Sequence, residues 1–166
     1  MSIPAPARPA DRPSIVNPVQ LTHGTLMCRD MAATRRFYEE FLGLEVVRHA
    51  KPAMMLRLAS NMYVVCVCIG DRLPNQHVLT HWGVNVASRE EVTRAHAAAL
   101  EQKEKYGIRR VHPPRDFHGA YAFYLQDLDF NWWEIQYEPR SIDDFFAAGD
   151  RFDMSTVSVE TAESHE

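Results

Sequence analysis

The sequence predicts an α+β fold made of two tandem βαβββ modules that share one curved mixed sheet. Three observations carry this. The tripeptide Leu21-Thr22-His23 recurs as Leu79-Thr80-His81, "GLEVV" at 43–47 is echoed by "GIRRV" at 107–111, and "NMYVV" at 61–65 by "NWWEI" at 131–135. One coincidence is cheap, but three in the same order argue for an internal duplication. Each repeat also reads as strand, helix, strand, strand, strand. A lone module of roughly 60 residues would bury its core poorly, so the two are expected to pair.

The elements follow in order. Residues 21–28 alternate as a strand. Asp30 then caps a helix whose apolar positions are Phe37, Phe41 and Leu42, and Gly43 ends it. "LEVVRHA", "AMMLRLAS" and "MYVVCVCIG" read as three strands. The second module opens with a strand over 79–86. A helix follows with a Ser88/Glu91 capping box, an apolar stripe of Val92, Ala95, Ala99 and Leu100, and a stop at Gly107. Strands around "IRRVH", "YAFYLQD" and "NWWEIQY" complete it.

The flanks differ from this body. Five of the ten prolines fall within 1–18, which reads as an extended N-terminal arm. The folded domain is 19–138, with modules 19–70 and 77–138. A short helix capped by Ser141, with Phe145 and Phe146 on its apolar edge, is expected within 139–154. The polar, acidic end, 155–166, reads as a loose tail.

Composition excludes several function classes. Of 166 residues, 46% are apolar and 24% charged, the mix of an ordinary soluble domain. The net charge of −4 and the lack of any basic cluster argue against a nucleic-acid partner. No apolar run approaches the about 20 residues of a membrane helix, and the N-terminus lacks the apolar centre of a signal peptide. Cys28, Cys66 and Cys68 form no paired framework. Reduced thiols and a cytoplasmic location are expected.

The chemistry lies in the repeated histidines. In a strand, alternate residues share a face, so His23 and His81 occupy pseudo-equivalent positions, each opposite in direction to the helix-facing residues such as Trp82, Val84 and Val86. Glu134 stands in a strand otherwise made of Trp, Ile and Tyr. A carboxylate there is costly unless paired or bound to metal. His23, His81 and Glu134 would form a 2-His-1-carboxylate set with open positions, which suits Fe(II) first and Mn(II) next, and the shared sheet would then curve around a metal cavity.

These features resemble the vicinal oxygen chelate superfamily, which includes glyoxalase I, type I extradiol dioxygenases, fosfomycin-resistance proteins and bleomycin-resistance proteins. The resemblance covers about 18–138. "DMAATRRFYEEFLGLEV" is similar to the family's first helix and turn, and "DLDFNWWE" to its D-P-D-G-N-x-x-E ending, with Leu128 and Phe130 in place of Pro and Gly. Under the repeat, Val64 is the partner of Glu134 and supplies no fourth ligand, which disfavours glyoxalase I chemistry; Cys66 and Cys68 are the alternative thiolates. "HGAYAFYLQDLDFNWWE" is similar to the extradiol pattern through His118, Phe123, Tyr124, Asp127 and Glu134, although the gap after His118 is one residue short.

The resemblance implies a ring-cleaving dioxygenase acting on a catechol-like aromatic and dioxygen. A homodimer is expected because proline-rich arms often lie along a neighbour, βαβββ halves can pair between chains as well as within one, and most soluble oligomers are symmetric dimers. Tyr124 would donate to a substrate oxygen and His118 would move a proton, with His77 and His112 behind it. Phe117, Tyr121 and Trp132 would suit an aromatic pocket. The alternatives are another metalloenzyme of this superfamily (a lyase, an isomerase or a fosfomycin-type thiol transferase) or a bleomycin-resistance-like protein that binds without catalysis.

Overall fold

The structure is a computed structural model and describes residues 15–16, 21–58 and 62–148. Most of the proposed N-terminal arm and the whole of the tail at 155–166 lie outside the described residues.

The two modules have the same topology. In the first, β1 (His23–Cys28), β2 (Glu45–Ala50), β3 (Ala53–Arg57) and β4 (Tyr63–Cys68) form a sheet of order β1-β4-β3-β2. In the second, β5 (His81–Asn85), β6 (Arg110–Val111), β8 (Ala120–Gln126) and β9 (Trp132–Tyr137) form the order β5-β9-β8-β6. One strand was not anticipated, β7 (Arg115–Phe117), which pairs with β8. In each module the first and last strands run parallel, β1 beside β4 and β5 beside β9, and the other pairs are antiparallel. Among the described residues no ladder joins the two sheets.

The first helix, α1 (Met31–Arg36), starts where Asp30 accepts from Ala33 N at 2.8 Å. It widens into a π-helical turn at Phe37–Phe41, with Leu42 N bonding Phe37 O, a local insertion that turns Phe37 and Tyr38 fully inward. In α2 (Arg89–Glu101) half of the expected capping box forms. Ser88 Oγ accepts from Glu91 N at 3.3 Å, but the Glu91 carboxylate pairs with Arg94 instead of reaching back. Val92 and Ala99 are buried, whereas Leu100, expected in the stripe, is exposed. The short α3 (Lys103–Tyr106) ends at Gly107 in the left-handed region, φ 65°. A last helix, α4 (Ile142–Ala148), is started by Ser141 Oγ accepting from Asp144 N at 3.2 Å.

One core serves both modules. Leu26, Phe37, Tyr38, Met54 and Leu56 of the first pack in the same cluster as Val92, Phe123, Leu125, Trp133 and Ile135 of the second. Polar latches cross the seam. Asp129 accepts from Arg29 N at 2.8 Å and from the Thr34 hydroxyl; Tyr38 OH donates to Asp127 Oδ2 at 3.4 Å; Asn131 Nδ2 donates to Met27 O at 2.9 Å. Asp127 is fully buried and also accepts from Asp129 N, Asn131 N and Trp133 Nε1. A buried carboxylate is tolerated only when its lone pairs are filled. That is why the "DLDFN" turn holds without the family's Pro and Gly: the side chains of Asp127, Asp129 and Asn131 fix it, and Phe130 takes φ 66°.

The duplication is corrected by one residue at the last strand of each module. His23 lies opposite Tyr63 and Thr25 opposite Val65; His81 lies opposite Trp132 and Gly83 opposite Glu134. Counted from the histidines, the structural equivalent of Glu134 is therefore Val65, not Val64. A one-residue slip reverses every side chain in a strand. Val64 accordingly packs against the core with Cys66 and Cys68, and it lines a cleft of about 310 Å³ between the modules with Trp82, Val84 and Trp133.

Candidate metal centre

The sheet of the second module has one face against α2 and the core and one face away from it. Register puts Gly83, Glu134 and Tyr124 in one row across β5, β9 and β8 on the open face, with His81 and Trp132 in the next row. A Cβ added to Gly83 would meet nothing within 4 Å, so the row has free space beside the carboxylate.

The side chains converge there. His81 Nε2 stands 3.4 Å from Glu134 Oε2. Tyr124 OH donates to Glu134 Oε1 at 2.7 Å, and its ring meets the His81 ring edge-on at 5.0 Å. His81 Nδ1 lies 2.8 Å from Val78 O. A carbonyl only accepts, so Nδ1 carries the hydrogen and Nε2 is the atom turned toward Glu134. Locking one ring nitrogen to a backbone carbonyl is how ligating histidines are oriented. The donor set of imidazole nitrogen and carboxylate, with Nε2 and Oε2 facing one open space, fits a divalent metal.

Charge reinforces this arrangement. The hydrogen bond with Glu134 raises His81 above the usual histidine value; burial opposes it, and the Val78 carbonyl adds to it. Burial alone would raise Glu134, but the bonds from His81 and Tyr124, with the charges of His81 and His118, hold it below the usual carboxylate range. Burial and the bond to Glu134 raise Tyr124, which stays a neutral O–H donor.

The other expected residues fall in several places. His23 lies on the first module's sheet, exposed, stacked on Tyr63 at 5.2 Å, with Nδ1 2.9 Å from Thr22 Oγ1. Among the described residues no group of three or more His, Cys, Asp or Glu side chains stands together as a metal-ligand set. A single chain thus brings His81 and Glu134 together and leaves His23 apart. His118 sits at the tip of the β7–β8 hairpin with φ 49°, followed by Gly119 at φ 93°. Positive φ at both turn positions is the tight hairpin geometry. Arg140 Nη2 holds the tip by donating to His118 O at 2.5 Å.

His112 packs on Trp132 at 5.0 Å, and burial together with Arg115 and Arg110 lowers it, leaving it neutral. Phe117 meets Tyr124 edge-on at 5.7 Å. Tyr121 lies on the opposite side, under the Arg89 guanidinium at 4.0 Å, and is no part of this face. His77 accepts from Leu79 N through its ring at 3.2 Å, on the exposed approach to β5. Cys66 is buried, and the adjacent Cys28 and its burial push its thiol up, so it is no thiolate ligand. Sequence reasoning missed the Val78 carbonyl, the free space at Gly83 and the clamp from Arg140. None has a composition signal; each depends on a partner far along the chain or on backbone direction.

Comparison with known proteins agrees with this architecture. The chain is similar in fold to a glyoxalase/bleomycin resistance protein/dioxygenase from Alicyclobacillus acidocaldarius (21% identity, 73% of this chain and 92% of that one, TM-score 0.53). It is also similar to a possible glyoxalase from Bacillus cereus (23%, 70% and 96%, 0.57). A third is the fosfomycin resistance protein FosX from Listeria monocytogenes, solved with Mn(II) and sulfate (16%, 78% and 96%, 0.57). Among curated proteins none matches the chain significantly. The family model described as Glyoxalase/Bleomycin resistance protein/Dioxygenase superfamily matches residues 20–135, and the chain belongs to that superfamily.

Proposed function

We propose that this chain is a metal-dependent enzyme that opens the ring of a catechol-like aromatic with dioxygen. His81, Glu134 and His23 of the partner subunit are its metal ligands. The observation that carries the reading is the His81–Glu134–Tyr124 cluster, with His81 Nδ1 held on Val78 O and Nε2 turned to the carboxylate. The first module supports a dimer in this reading: His23 stands on a face of its sheet turned away from the core, apart from the other two ligands, and a second copy can bring it to them. The Mn(II) in FosX supports a divalent ion on this fold; the 2-His-1-carboxylate set suits Fe(II) equally.

A divalent metal held by His81 and Glu134 would supply Lewis acidity toward the substrate oxygens. The remaining work falls to the chain. Tyr124 keeps its proton and donates a hydrogen bond to an oxygen that gains charge, exchanging its present bond to Glu134 for one to the substrate. His118, at a hairpin tip fixed by Arg140, takes the proton that a substrate hydroxyl loses on binding. Phe117 and Trp132 give the ring an apolar seat and exclude water.

The test is anaerobic reconstitution with Fe(II), metal analysis, then exposure of a catechol panel to air with the yellow ring-opened product as the signal. One bound metal per chain and product formation are expected. Stoichiometric metal with no product from any catechol removes the dioxygenase reading. Turnover of an epoxide or thiol substrate with Mn(II) would then favour the other metalloenzymes, and ligand binding without turnover the non-catalytic binder.

A further inference from the structure

Three free thiols that the metal centre does not use meet at one end of the first sheet. Cys28 and Cys66 are buried and Cys68 is half-buried. Cys28 is the last residue of β1 and Cys68 the last of β4. Alternation turns Leu26 and Cys28 of β1, and Val64, Cys66 and Cys68 of β4, to the core face, away from the side that carries His23. There the Cys28 thiol is in hydrogen-bond contact with those of Cys66 and Cys68 and with the Thr34 hydroxyl.

Register decides which pair can join. Cys28 lies directly opposite Cys68 in the parallel β1–β4 ladder, whereas Leu26 lies opposite Cys66. Strands about 4.8 Å apart put the Cα atoms of register partners inside the window of about 4.4–6.8 Å that a disulfide spans. Cys66 is displaced from that register by two residues, so its Cα stands about 8 Å from that of Cys28, beyond the limit of about 7 Å. Cys66 is therefore a hydrogen-bond neighbour of Cys28, and Cys68 is the sulfur in bonding register. Both register partners also end their strands, and Gly70 turns the chain at φ 68° two residues later. A small backbone adjustment there breaks no ladder in mid-sheet.

The two sulfurs differ in access. Cys68 is the one half-buried thiol of the three. Its Sγ donates to Arg29 O at 3.2 Å, and the Arg29 side chain pairs with the exposed Asp71 at 3.0 Å, so this strand end opens to solvent. Cys28 is shielded. The bond from Cys66, helped by Thr34 and Cys68, lowers its thiol below the ordinary value, although burial and the Asp129 charge oppose this. A shielded sulfur with thiolate character beside an accessible one is suited to resolve what an oxidant forms on the other. Cys66 stays a thiol, because its bond with Cys28 and its burial push it up.

We propose that Cys68 and Cys28 are an oxidisable dithiol that a hydroperoxide closes to an intrachain disulfide, fastening the end of β1 to the end of β4. The Cys68 thiolate attacks one peroxide oxygen. The S–O bond forms, the O–O bond breaks, and with hydrogen peroxide the leaving hydroxide takes a proton to become water. The Cys28 thiolate then attacks the Cys68 sulfur of this sulfenic acid. The S–S bond forms, and the hydroxyl leaves with a proton as a second water. Two thiols thus give up two electrons and two protons, and one hydrogen peroxide becomes two waters. A dithiol reductant restores both thiols by exchange.

The full chain, reduced and then treated with a stoichiometric amount of hydrogen peroxide, tests this. Thiols counted in denaturant should fall from three to one per chain, with no covalent dimer on non-reducing electrophoresis. Fragmentation of the cross-linked wild-type peptide should join Cys28 to Cys68, a reading that requires no variant to fold. Cys66→Ala should still close the bond, and Cys68→Ser should leave Cys28 reduced at the same dose. The oxidised chain should unfold at a higher urea concentration than the reduced one and return to the lower value with dithiothreitol, because a bond across the long loop from β1 to β4 restricts the unfolded chain. A bond to Cys66, a bond between chains, three unchanged thiols, sulfinic acids in place of the bond, or an unfolding midpoint that oxidation leaves unmoved overturns the proposal.

Discussion

Gly24 and Trp82, which follow the two repeated histidines at equivalent positions, meet each other: a Cβ on Gly24 would fall among the outer ring atoms of the Trp82 indole. The duplicated strands therefore carry different residues at the same position because they face one another across the pseudo-symmetric seam. One must be large to fill the space and the other must lack a side chain to admit it.

Gly24→Ala should overpack this seam and destabilise the protein by about 1–3 kcal/mol. The check is urea unfolding of the variant beside Gly24→Ala/Trp82→Phe, in which the smaller ring should restore part of the loss. An unchanged midpoint for the single variant would mean that the indole moves away freely.

The His81–Glu134 pair predicts proton competition for the metal. Glu134 raises His81, so at mildly acidic pH a proton sits where the metal binds. Metal affinity should fall up to about tenfold per pH unit below that raised value, and calorimetry in buffers of different ionisation enthalpy should show proton release on binding. The metal-free protein should behave in the opposite sense. A raised histidine contributes stability that is full below its unfolded value, about 6.5, and is lost as pH rises through the folded one. Glu134→Gln should remove most of the metal-free dependence, because the bond from Glu134 is the largest cause of the raised value.

Tyr124→Phe removes one hydroxyl and little volume. If the residue donates to charge that develops during the reaction, turnover should drop about 10²–10³-fold, while ligand affinity changes by only about 0.5–1.5 kcal/mol. Steady-state kinetics beside equilibrium binding reads both. A loss confined to affinity would make Tyr124 a binding residue.

A metal site shared between two copies predicts complementation. His23→Ala and Glu134→Gln should each abolish metal binding as homodimers. Co-refolding the two should regain one site per mixed dimer, because one of its two sites inherits all three native ligands. Metal analysis of a differentially tagged mixed dimer reads this. An intrachain site would regain none.

The buried Asp127 latch predicts a second pH dependence. Burial and the neighbouring Asp129 push its carboxyl up to about 7, against the donors from Trp133, Asp129 and Asn131 that favour the charged form. Its folded value lies above its unfolded one, so its contribution is full below about pH 4 and is lost progressively as pH rises to about 7. Thermal unfolding of Asp127→Asn should lack the decline between about pH 4 and 7 that is expected of the wild type. Asp127→Ala, which strands several buried donors, should cost about 3–5 kcal/mol.

Much of this was legible in the sequence, because the signals are local. Alternation gave the strands that bear His23, His81 and Glu134, and cap residues placed the helix starts at Asp30 and Ser88. The repeat was legible because duplicated modules retain their punctuation at Gly43 and Gly107. Other features needed the fold. The equivalent of Glu134 was misplaced by one residue, since a similar string of letters cannot report the hydrogen-bond register that puts Thr25 against Val65 and Gly83 against Glu134. The π-turn at Phe37–Phe41 has the same composition as an α-helix, and only the packing of Phe37 and Tyr38 selects it. By itself the sequence determined which residues could hold a metal, through their type and their face. Tertiary structure decided which of them meet within one chain. Strand direction is local, but the placement of one sheet against another is set by a shared core and by latches such as Asp129 on Thr34, and these join residues about a hundred positions apart.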